Sequence, residues 1–213
     1  MVMRPRLLDL FCGAGGAAMG YHRAGFDVVG VDLAPQPHYP FEFHQADALT
    51  YPLDGFDAIH ASPPCQAYTM AARLHPGTAS NHPDLVDETR QRLRASGLPY
   101  VIENVPGAPL RGAMLLCGSM FGLRIAKHRV FEASFPLPIL APAACDHRDL
   151  YDPWHGLGRT GDQHRAAQGT PWTPTQGGSG RAKGVTGDVS NAIPPVYTEW
   201  IGAQLLAAIE RAA

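Results

Sequence analysis

Short apolar runs alternate with amphipathic stretches through the first half of the chain. Residues 7–11 (LLDLF) and 27–32 (DVVGVD) predict two strands, and residues 17–24 between them predict a helix that ends at Gly25. Three more strands are expected at residues 41–47, 56–62 and 100–105, and one polar helix is expected at residues 83–96. Strands that alternate with helices form a mostly parallel sheet with helices on both faces. The sequence therefore predicts an α/β, Rossmann-like fold.

The pattern changes near residue 135. The stretch FPLPILAPAACDH is rich in proline, and residues 151–184 hold eight glycines with hardly any periodicity, so irregular loops are expected there. Regular secondary structure is expected again at residues 189–213, where apolar side chains share one face of a predicted helix. We therefore divide the chain into a main domain, residues 1–135 and 189–213, and a short irregular insert, residues 136–188.

Composition and charge narrow the function classes. The 213 residues carry a formal net charge of −2, but residues 1–60 hold three Arg against seven Asp and Glu, so the later part is positive. Any nucleic-acid contact is expected in that later part. No apolar run approaches the ~20 residues that span a bilayer, and the N-terminus lacks the cleavage pattern of a secretory signal, so we expect a cytoplasmic protein. The cysteines have no CxxC spacing, so free thiols are expected.

A glycine-rich turn, DLFCGAGG at residues 9–16, follows the first predicted strand. Such a turn lets the backbone approach a ligand closely and points the N–H groups of the following helix at it. Asp32 ends the second strand, where a carboxylate can accept hydrogen bonds from the hydroxyls of a ribose. The pattern is neither GxGxxG nor a phosphate loop, so it suggests a nucleoside-bearing cofactor, with a simple tight turn as the alternative.

Cys65 lies in the stretch ASPPCQA, just after another predicted strand. The two prolines restrict the backbone before the thiol, and a polar loop at a strand end is where an accessible nucleophile belongs. Glu103 ends the next predicted strand, and a carboxyl group beside a thiol can form the acid and nucleophile of covalent catalysis. The remaining cysteines are expected to be packing residues.

Five motifs occur in an order that resembles the cytosine carbon-5 DNA methyltransferases. They are DLFCGAGG at residues 9–16, PPCQ at 63–66, ENV at 103–105, HRVFE at 128–132 and SNAIPP at 190–195. The resemblance implies a Rossmann-like fold that uses S-adenosylmethionine. It implies a prokaryotic or phage-type enzyme acting on duplex DNA, with no membrane association and no obligate protein partner.

The resemblance also implies roles for individual residues. Cys65 would add to carbon 6 of cytosine so that carbon 5 can take the methyl group, Glu103 would bond the ring nitrogen and amino group, and Arg129 would hold the flipped base. The implied cofactor site consists of Phe11, Cys12, Gly13, Ala14, Gly15, Asp32, Leu33, Asp47, Ala48, Pro63, Asn191 and Ala192. The insert would be a reduced target-recognition region, and the proposed DNA-binding residues are Gln66, Lys127, Arg159, Arg165, Arg181 and Lys183.

Alternatives remain for the insert and for the substrate. Trp154 and Trp172 could stack on bases, or the insert could be a plain surface loop. A zinc site from CxH at residues 145–147 with His155 and His164 is set aside because paired spacing is missing, so no metal is expected. Arg90, Arg92 and Arg94 are read as a solvated helix face. Two other functions compete with DNA methylation. One is the same chemistry on a free cytosine nucleotide, and the other is that of a catalytically silent DNA-binding or scaffold protein.

Overall fold

The computed structural model describes residues 3–68, 84–138, 144–148, 161–173 and 191–212. Within these ranges the chain forms seven strands and four α-helices. The strands are β1 (Arg6–Leu10), β2 (Asp27–Asp32), β3 (Glu42–Gln45), β4 (Ala58–Ala61), β5 (Tyr100–Asn104), β6 (Met114–Leu116) and β7 (Arg129–Ala133). The helices are α1 (Gly16–Ala24), α2 (Val86–Ser96), α3 (Gly161–Gln168) and α4 (Pro195–Ala212).

The strands form one sheet in the order β3-β2-β1-β4-β5-β7-β6. The pairs among β1 to β5 are parallel, whereas β7 runs antiparallel to both β5 and β6. The predicted mostly parallel α/β sheet is therefore confirmed. Sequence analysis missed β6 and β7, because the first is only three residues long and the second was read only as a motif. No helix in the described ranges is long and apolar enough to cross a membrane.

Helices cover both faces of the sheet, and successive residues of β1 show why. Leu7 packs in one buried cluster with Tyr21 of α1 and Ile201 of α4, while Leu8 packs in a second cluster with Leu93 of α2. Alternate side chains of a strand point to opposite faces, so a strand with apolar side chains at successive positions, interrupted in β1 only by the buried Asp9, fits a sheet buried on both sides.

Close contact between α1 and α4 depends on two glycines. A Cβ atom at Gly16 would lie 2.3 Å from the carbonyl oxygen of Ile193, and one at Gly20 would lie 2.1 Å from that of Pro195. Thr198 Oγ1 also donates a hydrogen bond of 2.8 Å to the carbonyl of Ala17. The C-terminal segment is thereby fixed directly beside the glycine-rich turn that precedes α1.

Two expectations for helices are wrong. Arg90 is buried rather than solvated, because its guanidinium binds both carboxylate oxygens of Glu132 on β7, at 2.8 and 2.9 Å. Arg92 donates to the carbonyl of Ala48, whereas Arg94 is exposed as expected. Residues 161–168, expected to be irregular, form α3, whose sequence GDQHRAAQ has no apolar stripe that periodicity could detect.

Candidate active site

Four parallel strands bring the sequence-predicted site residues to one edge of the sheet. The glycine-rich turn follows β1, Asp32 ends β2, the loop with Cys65 follows β4, and Glu103 lies near the end of β5. Because β2, β1, β4 and β5 are neighbours and run in the same direction, their carboxyl ends lie side by side. This edge is where ligands bind in open α/β sheets.

The glycine-rich turn has a left-handed backbone that glycine tolerates. Gly13 and Gly15 have φ angles of 49° and 80°, and Phe11 has a φ angle of 57° without being glycine. Asp32 fixes the turn, since its Oδ2 accepts a 3.0 Å hydrogen bond from the backbone N–H of Gly13 and its Oδ1 accepts one from Ala34. Asp32 therefore shapes the turn, and each of its oxygens has a further lone pair for another donor.

The remaining predicted cofactor residues differ in exposure. Leu33 presents an apolar side chain that is 73% exposed directly after Asp32. Asp47 is exposed, and its Oδ1 accepts a hydrogen bond of 2.9 Å from the N–H of Leu49. Ala48 and Ala192 are buried, and Asn191 is exposed. Of these predicted cofactor residues, Leu33, Asp47 and Asn191 are thus open to solvent, whereas Ala48 and Ala192 are not.

The loop that carries Cys65 is anchored to β5. Asn104 donates from Nδ2 to the carbonyl oxygen of Pro63 at 3.0 Å, and the carbonyl of Cys65 accepts a hydrogen bond of 2.9 Å from Tyr68. The Cys65 side chain is partly buried. Burial raises the pKa of the Cys65 thiol, and the positive charge of Arg129 opposes that rise.

Glu103 and Arg129 form a largely buried ion pair. Arg129 Nε lies 3.0 Å from Glu103 Oε1, and the two side chains are 15% and 7% exposed. Burial raises the pKa of Glu103, while the Arg129 guanidinium and a hydrogen bond from Ser62 act in the opposite direction. Sequence analysis identified both residues but could not pair them, because their contact depends on the antiparallel pairing of β5 with β7.

A buried chain of polar groups, which sequence analysis missed, leads from α1 to this ion pair. His60 on β4 is fully buried and bonds the Tyr21 hydroxyl through Nδ1 at 3.0 Å and the Ser62 hydroxyl through Nε2 at 2.9 Å. Ser62 in turn bonds Glu103. A histidine inside an apolar strand was the available signal, since buried polar side chains need partners.

Lys127 does not have the surface position expected of a DNA contact. It is 8% exposed, and its ammonium donates to the side chain of Gln168 and, at 2.5 Å, to the carbonyl of Ala192. Burial lowers the pKa of Lys127 well below its ordinary value. The ammonium therefore links the segment before β7 to α3 and to the C-terminal segment instead of facing a phosphate.

The described part of the insert contacts the main domain. Base stacking was one of two alternatives for Trp172, and its indole Nε1 donates a hydrogen bond of 2.8 Å to the carbonyl of Ala14 in the glycine-rich turn. Arg165 is half-buried and donates to the carbonyl of Thr173 at 3.3 Å. Gln66, beside Cys65, is exposed. The expected DNA contacts of Arg159, Arg181 and Lys183, and the stacking role of Trp154, lie outside the described residues.

A second group of reactive side chains lies near Arg129. Cys117, His128, Cys145 and His147 place one ligand atom each within 4.8 Å of one another. Sequence analysis considered Cys145 and His147 but joined them with His155, which lies outside the described residues, and with His164, whose side chain is not described. Cys117 is buried as a packing cysteine should be, whereas Cys145 is exposed, contrary to expectation.

Comparison with known proteins rests on structure, since the sequence matches no protein-family model and no curated relative. The methyltransferase EhMeth of Entamoeba histolytica aligns with a TM-score of 0.65 and 11% identity, over 98% of this chain and 99% of its own. The Dnmt2 methyltransferase of S. pombe aligns with a TM-score of 0.63 and 12% identity, over 97% and 99%. The chain has a methyltransferase fold. The resemblance to cytosine carbon-5 methyltransferases is thus confirmed at the level of the fold.

A third similar structure aligns with a smaller part of this chain. A DNA modification methyltransferase encoded within a prophage of E. coli aligns with a TM-score of 0.48 and 19% identity. The alignment covers 67% of this chain and 52% of the prophage protein, so the chain spans about half the length of that protein.

Proposed function

We propose that the chain transfers a methyl group from S-adenosylmethionine to carbon 5 of cytosine in DNA. The observation that carries the proposal is the grouping of a partly buried Cys65 thiol with the Glu103–Arg129 ion pair at the carboxyl edge of the sheet. The charges of both Arg129 and Glu103 act on the pKa of Cys65, so the three groups belong to one electrostatic environment. A nucleophile, an acid and a cation grouped in this way fit covalent catalysis at a ring.

In this proposal each group has one chemical task. The Cys65 thiolate forms a bond to carbon 6, which makes carbon 5 nucleophilic. Glu103 bonds the ring nitrogen and exocyclic amino group of the cytosine, and Arg129 orients Glu103 and contacts the base. Once carbon 5 has taken the methyl group, its proton is lost to solvent and the thiolate is eliminated from carbon 6, which restores the aromatic ring. Rotation of the base out of a duplex costs a few kcal/mol, which binding must offset.

The geometry of the glycine-rich turn fits S-adenosylmethionine, which supplies the methyl group when bound. The left-handed turn leaves open space at Gly13, where a Cβ atom would meet no atom within 4 Å, and Asp32 keeps lone pairs for ribose hydroxyls. The exposed Leu33 offers an apolar surface for the adenine ring. We assign the cofactor site to these residues together with Phe11, Cys12, Ala14, Asp47, Ala48, Pro63, Asn191 and Ala192.

The substrate alternative is a free cytosine nucleotide, and two positions favour it. Lys127, expected at a DNA interface, and Trp172, for which base stacking was one alternative, make internal hydrogen bonds. The remaining proposed DNA contacts are Gln66, Arg165, Arg159, Arg181 and Lys183.

A trapping experiment tests the chemistry and the substrate together. The protein is mixed with the cofactor and with duplex DNA, single-stranded DNA or deoxycytidine monophosphate, each carrying 5-fluorocytosine. Fluorine at carbon 5 cannot leave as a proton, so the covalent adduct accumulates and its mass can be measured. We expect an adduct with duplex DNA in the wild type and none in Cys65→Ser, with cofactor affinity by calorimetry unchanged. An adduct in Cys65→Ser would exclude Cys65 as the nucleophile. An adduct with deoxycytidine monophosphate, but with neither form of DNA, would establish the alternative substrate.

A further inference from the structure

Two cysteines and two histidines from three separate segments meet beside the start of β7. Cys117 follows β6, His128 directly precedes β7, and Cys145 and His147 lie in the segment 144–148. His147 Nε2 lies 2.8 Å from Cys145 Sγ and 3.4 Å from Cys117 Sγ, and His128 Nε2 lies 3.4 Å from Cys145 Sγ. His147 therefore directs Nε2 toward both sulfurs, and His128 directs Nε2 toward that of Cys145.

The two distances of 3.4 Å match the ligand spacing of a tetrahedral metal site, and the hydrogen-bonding distance of 2.8 Å between His147 Nε2 and Cys145 Sγ would lengthen when an ion enters between them. Zn²⁺ binds Cys sulfur at about 2.3 Å and His nitrogen at about 2.0–2.1 Å, which separates the ligand atoms of a tetrahedron by roughly 3.3–3.8 Å. Here all four ligand atoms lie within 4.8 Å of one another. Two thiolates also neutralise the charge of one Zn²⁺ ion, so the filled site would carry no net charge.

Direct contacts alone explain the position of the segment 144–148 poorly. All five of its residues are exposed, so apolar burial does not hold it. Thiols are weak hydrogen-bond donors and acceptors. Ser119 lies between the two parts of the cluster, where its hydroxyl is 3.4 Å from Cys117 Sγ and accepts a hydrogen bond of 3.2 Å from the N–H of Asp146. A hydroxyl in this position can donate to a metal-bound thiolate.

We propose that Cys117, His128, Cys145 and His147 bind one structural Zn²⁺ ion. Two thiolates and two neutral imidazoles are a ligand set that structural zinc sites use, and four protein ligands leave no open position for catalysis. The ion joins the beginning of the insert to the turn after β6 and to the residue before Arg129. It therefore fixes the backbone from which Arg129 reaches Glu103.

Metal content of the full-length protein tests the proposal. The protein is purified under reducing conditions without chelator and measured by elemental mass spectrometry, and we expect about one zinc ion per chain. Substitution by Co²⁺ should give the visible absorption of a tetrahedral thiolate site. Cys145→Ser should lose the zinc and the cobalt spectrum. The matched control Cys65→Ser should keep both, because Cys65 lies outside the cluster.

Stability measurements separate loss of metal from loss of fold. Cys145 is exposed, so Cys145→Ser should remain folded by circular dichroism, and a chelator should lower the melting temperature of the wild type but not of this variant. His44→Ala, at an exposed histidine on β3, should retain zinc, whereas His128→Ala should not. A wild-type protein that takes up neither Zn²⁺ nor Co²⁺ under reducing conditions would overturn the proposal. A Cys117–Cys145 disulfide that persists in protein purified under reducing conditions would also overturn it. Full zinc content in Cys145→Ser would overturn it as well.

Discussion

Arg129 Nε lies 3.0 Å from Glu103 Oε1, and both side chains are largely buried at the carboxyl edge of the sheet. Glu103 is carried by β5 and Arg129 by β7, which pair in antiparallel fashion. The cation therefore acts on a carboxyl group whose pKa burial raises. Removing one member of such a pair leaves the other charge buried without its partner.

Arg129→Met should raise the pKa of Glu103 further, because burial then acts without the opposing positive charge. Carbon-13 NMR of the Glu103 carboxyl group, assigned with Glu103→Gln, measures the change without requiring activity. Arg124→Met, at an exposed arginine, should leave the titration as in the wild type. If both variants titrate like the wild type, the ion pair has no influence on Glu103.

Asn104 should control the reactivity of Cys65 through the loop between them. Asn104→Ala removes the hydrogen bond to the carbonyl of Pro63 and leaves buried polar groups without partners, at a cost of about 1–3 kcal/mol. We expect faster alkylation of Cys65 and a lower free energy of unfolding, both measured on the purified protein. Gln91→Ala, which changes an exposed amide on α2, should alter neither. An unchanged alkylation rate would mean that the prolines alone hold the loop.

Trp172 separates two interpretations of the insert. Its indole donates to the carbonyl of Ala14, so Trp172→Phe should weaken cofactor binding by about 0.5–1.5 kcal/mol, which is roughly twofold to tenfold. The matched control is Trp200→Phe, which changes a tryptophan on α4 that packs near Phe121. This variant should bind the cofactor normally. Weaker DNA binding with unchanged cofactor affinity in Trp172→Phe would instead support the stacking role expected from sequence.

Local pattern predicted the parallel part of the fold because four of its five strands are short, mostly apolar runs bounded by turn residues, whereas the edge strand β3 (EFHQ) is mostly polar. The site residues at the ends of β2, β4 and β5 could be predicted from these strands, because parallel strands bring their carboxyl ends to one edge of the sheet. Contacts between distant residues had no such local signal. Lys127 and Trp172 are polar or amphipathic residues in a basic region, and only tertiary packing shows that their polar groups face inward.

The zinc ligands illustrate the same limit. Cys117 and His128 are eleven positions apart, and they meet because β6 and β7 are antiparallel neighbours. A search for closely paired cysteines and histidines could not find them, because the pairing depends on strands that the sequence pattern did not reveal. Arg90 is similar, since its partner Glu132 lies on β7.

His60 should make stability fall as the pH decreases below neutrality. Its imidazole is fully buried between Tyr21 and Ser62, and burial lowers its pKa from 6.5 to about 3. Between these values the unfolded chain binds a proton at His60 and the folded chain does not, so acid favours unfolding. The stabilising contribution is thus fully present above the unfolded pKa and is lost as the pH falls toward the folded pKa.

The size of the effect follows from proton linkage. One pKa unit corresponds to about 1.4 kcal/mol, so His60 should cost the wild type roughly 2 kcal/mol of unfolding free energy between pH 7 and pH 5. His60→Asn has no titrating ring and should lose less stability over the same interval, although it starts from a lower value because the buried hydrogen bonds change. Urea unfolding of both proteins at each pH measures the difference, and His22→Asn, at a partly exposed histidine on α1, controls for the loss of a histidine. Parallel pH profiles for the wild type and His60→Asn would show that His60 takes up its proton over the same pH range in the folded and the unfolded chain, so that burial does not lower its pKa.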